Sequence, residues 1–170
     1  MFKTKKIFIL LLFSFLFNSI VIAQDKIVFI DLEQIVNNTN IGKKILSELN
    51  KINLDNIEKF KIKENLIKEK EISLNNTKNI NSKTELQNKI NLLKNEISIY
   101  NKEKNEKTND FIKLKNKKLD ELFKQINPLV SEYMNKNSIT LIVDKKNVYL
   151  GKMDYDITDD IVELVNTKLK

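Results

Sequence analysis

Five carboxylates crowd the C-terminal end of the chain: Asp144, Asp154, Asp156, Asp159 and Asp160. Acids packed so closely could pass a proton between them or hold a hard cation. No other residue supports such chemistry. The absence of His and Cys removes imidazole shuttles, Ser-His triads, thiolate zinc sites and disulfides together. Two Gly in 170 residues leave no glycine-rich loop for a phosphate. A turn and a helix start explain the acids better. Asp144-Lys145-Lys146-Asn147 reads as the turn; Asp159 and Asp160 lie at the positive end of a helix capped by Thr158, with Ile157 stapled onto Val162. The expectation is a protein with no catalytic residue, cofactor or metal.

The other charged side chains are mostly Lys, which supplies all 30 basic residues in a chain unusually rich in Asn. That usage looks like a biased genome, so no single Lys is read as selected. Their distribution is more informative. Between positions 41 and 127, 20 Lys stand against 13 Asp and Glu, whereas the rest of the chain beyond position 23 holds 7 Lys against 10 acids. A basic extension on an acidic base would attract an anionic or acidic partner; Lys and Glu carried for solubility are the plain alternative.

The extension itself reads as two long helices folded back on each other over 41–136. On the second limb Leu86, Ile90, Leu93, Ile97, Tyr100, Phe111 and Leu114 alternate steps of four and three, the spacing of a coiled-coil seam. Carried across the gap, that register puts Lys104 and Lys107 on the seam, inside a run from Asn101 to Asp110 with no apolar residue. A fresh register follows through Leu119, Leu122, Ile126, Leu129 and Tyr133, and Asn127-Pro128 interrupts it with an expected kink. The first limb is sparser, with Ile45, Leu49, Ile52, Ile57, Phe60, Ile67 and Leu74. Between the limbs, near 75–83, a run of Asn, Thr and Ser competes for backbone hydrogen bonds and marks the reversal.

At the N-terminus, Lys3, Lys5 and Lys6 precede the apolar run Ile7 to Phe17, and Val21-Ile22-Ala23 follows. That is the pattern of a secretory signal peptide, residues 1–23, cleaved after Ala23. A retained anchor would need an apolar run nearer to about twenty residues.

The base then comprises 25–40 and 137–170. Lys26-Ile27-Val28-Phe29-Ile30 reads as a strand buried on both faces, followed by a short helix, Leu32 to Val36, capped by Asp31. Ile139 to Val143 is a second strand, Val148-Tyr149-Leu150 a third, and a closing helix turns Ile161, Leu164, Val165 and Leu169 to the core. So small a base rarely folds alone, and no disulfide or metal is expected to help it. Burial of its strand faces against copies of itself, in a small ring with hairpins projecting to one side, would meet the shortfall.

The two ends of the chain carry a resemblance. Ile27-Val28-Phe29-Ile30-Asp31-Leu32 with Gly42-Lys43, then Leu141-Ile142-Val143-Asp144, and finally Tyr155-Asp156-Ile157-Thr158-Asp159-Asp160-Ile161-Val162 resemble the Skp/OmpH family of periplasmic chaperones. One departure is local: where members commonly read Val-Leu-Tyr and then a Pro-containing turn, this chain has Val148-Tyr149-Leu150-Gly151-Lys152-Met153. The resemblance implies a mostly α, α+β fold: a long antiparallel coiled-coil hairpin on a small base whose strands build a central β-barrel in a homotrimer. In that trimer Ile27, Phe29, Leu141, Val143, Val148 and Leu150 would form the core of the base. It further implies a periplasmic holdase that needs no nucleotide and keeps unfolded outer-membrane proteins between its helical tentacles. Phe60, Ile97, Tyr100, Lys104 and Lys107 are the candidate client contacts, although the first three could equally zip the limbs together. An anionic membrane surface or lipopolysaccharide is a further partner open to a basic arm.

Other classes are weaker. A nucleic-acid binder lacks Arg and any recognised motif, and would be exported. A purely structural envelope spacer would share the hairpin but suppress no client aggregation. An efflux adaptor would need larger β domains.

Overall fold

The computed structural model describes residues 25–77 and 83–169. The signal-peptide reading for 1–23 lies outside them. So does most of the stretch read as the reversal.

Among the described residues two strands and four helices follow one another: β1 (Lys26–Ile30), α1 (Leu32–Asn38), α2 (Asn40–Thr77), α3 (Lys83–Lys136), β2 (Ile139–Asp144) and α4 (Thr158–Lys168). Short 3-10 turns at Lys145–Asn147 and Met153–Tyr155 join β2 to α4. Strands β1 and β2 pair in parallel, Ile27 opposite Leu141 and Phe29 opposite Val143. A parallel pair needs a crossover, and here the crossover is the whole hairpin. At 38 and 54 residues, α2 and α3 span roughly 57 and 81 Å at about 1.5 Å per residue.

Cross-limb contacts fix the hairpin's register. Lys118 pairs with Glu48 at 2.9 Å and Lys70 with Glu96 at 2.7 Å, while Lys63 pairs with Glu103 between them. As the α2 partner advances, the α3 partner retreats. The two helices are therefore antiparallel and in step along their length. The expected seam positions Leu86, Ile90, Leu93, Ile97, Tyr100, Phe111 and Leu114 are all half-buried, while their neighbours on the outer faces are exposed.

Apart from Leu49, buried near the root of α2, full burial of the hairpin's apolar side chains begins where it meets the base. Leu122 and Ile126 of α3 pack with Val28, Ile30, Ile35, Ile139, Ile157, Ile161 and Val165, and Leu46, Leu119, Phe123 and Tyr133 lean against this cluster. The hairpin roots thus supply core that a count of the terminal segments alone leaves out. The closing helix contributes Ile161 and Val165, both fully buried, as its spacing requires.

Several local expectations are corrected. Val148-Tyr149-Leu150 is no third strand: Val148 closes the 3-10 turn by donating to the carbonyl of Lys145, and Tyr149 and Leu150 stand 103% and 87% exposed. The side of β1 that could have received it is met at Phe29 by the Asp156–Ile157 segment, the Ile157 amide donating to the Phe29 carbonyl at 3.1 Å. Helix α1 runs two residues beyond Val36, and the break before α2 shrinks to Thr39, whose amide still bonds to the Ile35 carbonyl. Helix α3 is not interrupted at Pro128 but continues to Lys136. Proline forfeits one hydrogen bond there, and the packing of Ile126, Leu129 and Val130 on the base outweighs the loss.

Thr158 is the first residue of α4, so the cap position falls to Ile157, which makes no side-chain cap bond. Asp156 accepts the Thr158 amide at 3.0 Å, while the Thr158 hydroxyl donates to Asp156 and accepts the Asp31 amide at 2.9 Å. Asp31 in turn caps α1 by accepting the Gln34 amide at 2.9 Å. One polar chain therefore locks the end of β1 to the starts of two helices.

Candidate functional site

Most of the crowded carboxylates have structural partners. Asp144 accepts the Lys146 amide at 3.2 Å and pairs with its ammonium at 2.8 Å. Asp159 accepts from Gln34 at 3.1 Å, and Asp160 from the Tyr133 hydroxyl at 2.5 Å. Burial and then this hydrogen bond push Tyr133 up to about 12.

Asp156 binds Lys145 at 2.7 Å as well as Thr158. Burial works to raise its pKa, but the hydrogen bonds from Lys145 and Thr158 prevail and hold it below the ordinary 3.8. A depressed carboxyl stabilises the fold fully above its unfolded value and loses that stabilisation as pH falls through its folded one. The urea midpoint of the wild-type protein should therefore drop below about pH 4, and that of Asp156→Asn should drop less over the same range. Parallel curves would remove Asp156 from the acid response.

On the hairpin, the structure brings Phe60 and Tyr100 together between the limbs, ring centroids 6.0 Å apart and edge to face. The Lys104 ammonium lies 5.4 Å from the Tyr100 ring centroid and 3.2 Å from its hydroxyl, which reaches Glu64 across the seam at 3.4 Å. Ile97 is half-buried on the same seam. These contacts are what a zipper needs, and they leave Phe60, Ile97 and Tyr100 half-buried, each with part of its side chain still open to solvent. Lys107 is exposed, 3.9 Å from Asp110.

The larger free apolar surface is elsewhere. Ile62, Leu66, Leu92 and Ile99 are 55%, 52%, 66% and 50% exposed. Leu66 and Ile99 line one cleft with Lys63, Lys70, Glu96 and Glu103, and Leu92 and Ile62 line the clefts on either side of it. One face of the hairpin therefore alternates bare aliphatic side chains with the Lys63–Glu103 and Lys70–Glu96 pairs. Sequence reasoning missed this row because it followed the seam. The signal was present as Ile62 and Leu66 at i, i+4 and Leu92 and Ile99 at i, i+7, both off the seam positions.

In the base, strand alternation puts Val28, Ile30 and Ile142 on the core side. Ile27, Phe29, Leu141 and Val143 share the opposite face. Phe29 is 7% exposed, with Gly151 close against its ring, whereas Ile27 and Leu141 remain 50% and 49% exposed. Val143 and Val148 are half-buried, and Leu150 projects away from the protomer. The outer edge of β2 has no strand partner among the described residues.

No helix among the described residues is long and apolar enough to cross a membrane. No curated protein sequence matches the chain. A crystal structure described as an OmpH-like outer membrane chaperone from Caulobacter crescentus superposes with a TM-score of 0.70 at 14% identity, covering 86% of each chain. That likeness establishes the fold. The family profile for OmpH-like outer membrane protein matches residues 26–165. By that match, which spans nearly the whole described chain from β1 into α4, the protein belongs to the OmpH-like family.

Proposed function

We propose that the protein is a nucleotide-independent holdase of the periplasm, reached by cleavage of residues 1–23, which binds unfolded outer-membrane proteins between the hairpins of a homotrimer. The observation that carries this reading is the row of exposed aliphatics set among charges on one face of the arm. An unfolded chain offers short apolar segments separated by polar ones, and such a face matches it piecemeal. Each contact is weak, yet several arms raise the local concentration enough to hold a client while its segments exchange. Holding of this kind acts by mass action on the unfolded state, with no bond made or broken. The OmpH-like description of the neighbour and the family match support the same role.

The base supports the assembly. Ile27, Leu141, Leu150 and the open edge of β2 offer both apolar area and unpaired backbone groups to a second copy. In a ring, Phe29, Val143 and Val148 would complete the shared core beside them.

The excess of Lys over acids between 41 and 127 makes the arm attractive to acidic clients. Affinity for an unfolded porin should weaken several-fold between about 0.1 and 1 M salt, as the screening length falls from about 10 to 3 Å. A flat titration would assign holding to apolar contacts alone. Failure to suppress porin aggregation at any salt concentration would leave the hairpin as a structural spacer.

A further inference from the structure

The two limbs do not close along their whole length. From Asn101 to Asp110 α3 offers no apolar residue to the seam, and α2 lines the gap with Asn53 and Asn56 beside Ile57 and Phe60. Between them lies a slot of about 360 Å³. That is the lower end of the ~300–1,000 Å³ typical of small-molecule sites. Its apolar surface comes from Ile57, Phe60 and Phe111. On its rim Lys61, Lys104 and Lys107 outnumber Glu64.

Two phenyl rings beside solvent, ringed by amines, are an unusual lining for a gap in a coiled coil. Solubility would be served by polar residues alone, and stability by an aliphatic seam. We propose that the slot is a binding site for an aromatic side chain borne on an acidic, extended stretch of polypeptide. The inference rests on the holdase reading and adds a preferred segment to it. The ring enters between Phe60 and Phe111, where edge-to-face packing gains more than area burial alone. Carboxylates on neighbouring residues of the same stretch meet Lys61 and Lys107, and their charge matches the positive rim. A basic segment with the same aromatic residue is repelled there. The excess is larger here than on the aliphatic row, where Lys63 and Lys70 are matched by Glu96 and Glu103 in the middle cleft and Lys exceeds Glu by one in the clefts of Leu92 and Ile62.

The test uses the full mature protein and a short unstructured peptide of Asp, Ser and Gly carrying one Trp, followed by the change in Trp emission. Three comparison peptides replace Trp by Ser, Asp by Asn, or Asp by Lys, the first being read by calorimetry. Asn56→Leu extends the apolar seam into the slot; it should raise the melting temperature and weaken the Asp–Trp peptide about tenfold. Lys61→Gln with Lys107→Gln should weaken the same peptide but leave its Asn counterpart unchanged, and this second variant decides the matter if Asn56→Leu does not fold. Equal affinity for the Trp and Ser peptides, or an Asp–Trp affinity that neither variant alters, overturns the slot. Porin aggregation measured with the wild-type protein separates the two levels: suppression without slot dependence contradicts only the site, whereas no suppression contradicts the holdase reading itself.

Discussion

Leu150→Lys is expected to turn the proposed trimer into folded monomers and to abolish the proposed capture of unfolded porin. Leu150 is 87% exposed on the protomer, so its replacement removes almost nothing from the fold. Around the same end stand Tyr149 at 103%, Met153 at 73%, Ile27 at 50% and Leu141 at 49% exposure. Monomeric proteins rarely leave so much apolar surface gathered at one end unless something covers it. Like charges brought together across an interface cost several kcal/mol. In a ring that penalty recurs at each contact. Sedimentation should therefore give the monomer, with a far-ultraviolet spectrum and melting curve matching the wild type. An unchanged oligomer would show that the copies meet elsewhere.

Gly42→Ala acts on the protomer itself. A Cβ there would sit 2.0 Å from the Val36 carbonyl oxygen and 2.7 Å from the Thr39 hydroxyl. The first obstacle is backbone, so no rotamer change relieves it. Thr39 is fully buried and accepts the Gly42 amide at 3.2 Å, which closes the corner between α1 and α2. The corner would have to open, at a cost of about 3 kcal/mol. For a chain of this size that is a fall in melting temperature of about 10 °C. A urea midpoint within error of the wild type would mean that the corner yields without effort.

Gly42 also shows what could be read from the sequence. Its pairing with Lys43 after Asp31-Leu32 carried part of the family resemblance, but its tight corner appears only when Val36 and Thr39 are placed against it. The hairpin was legible because a seam writes its period into the chain: Leu86, Ile90, Leu93 and Ile97 specify a face wherever the helix goes. The third strand was misread because β structure needs a partner that no local pattern names. Val148-Tyr149-Leu150 has strand-like residues, but Asp156 and Ile157 meet β1 instead. Caps are similarly ambiguous. Thr158 has the residue type of a cap but is the first helical residue, Ile157 holds the cap position without a side-chain bond, and Asp156 just before it accepts the Thr158 amide while the Asp31 amide donates to the Thr158 hydroxyl.

The aliphatic row was hidden for a related reason. Ile62 and Leu92 look like stray apolar residues until the limbs are brought into register, when Leu66 and Ile99 meet in one cleft. The base presents the reverse case. The terminal segments are not the whole of the core, because Leu119, Leu122, Phe123 and Ile126 of the hairpin root pack into the same cluster. The proposed assembly therefore draws on the bare apolar end of the base and the open edge of β2.

Native mass spectrometry of the mature protein, with and without an unfolded porin, tests the central claim most directly because subunit number and capture are read together. The account predicts three copies alone and three copies with one client when porin is added. A folded monomer that stays monomeric and binds nothing would contradict it.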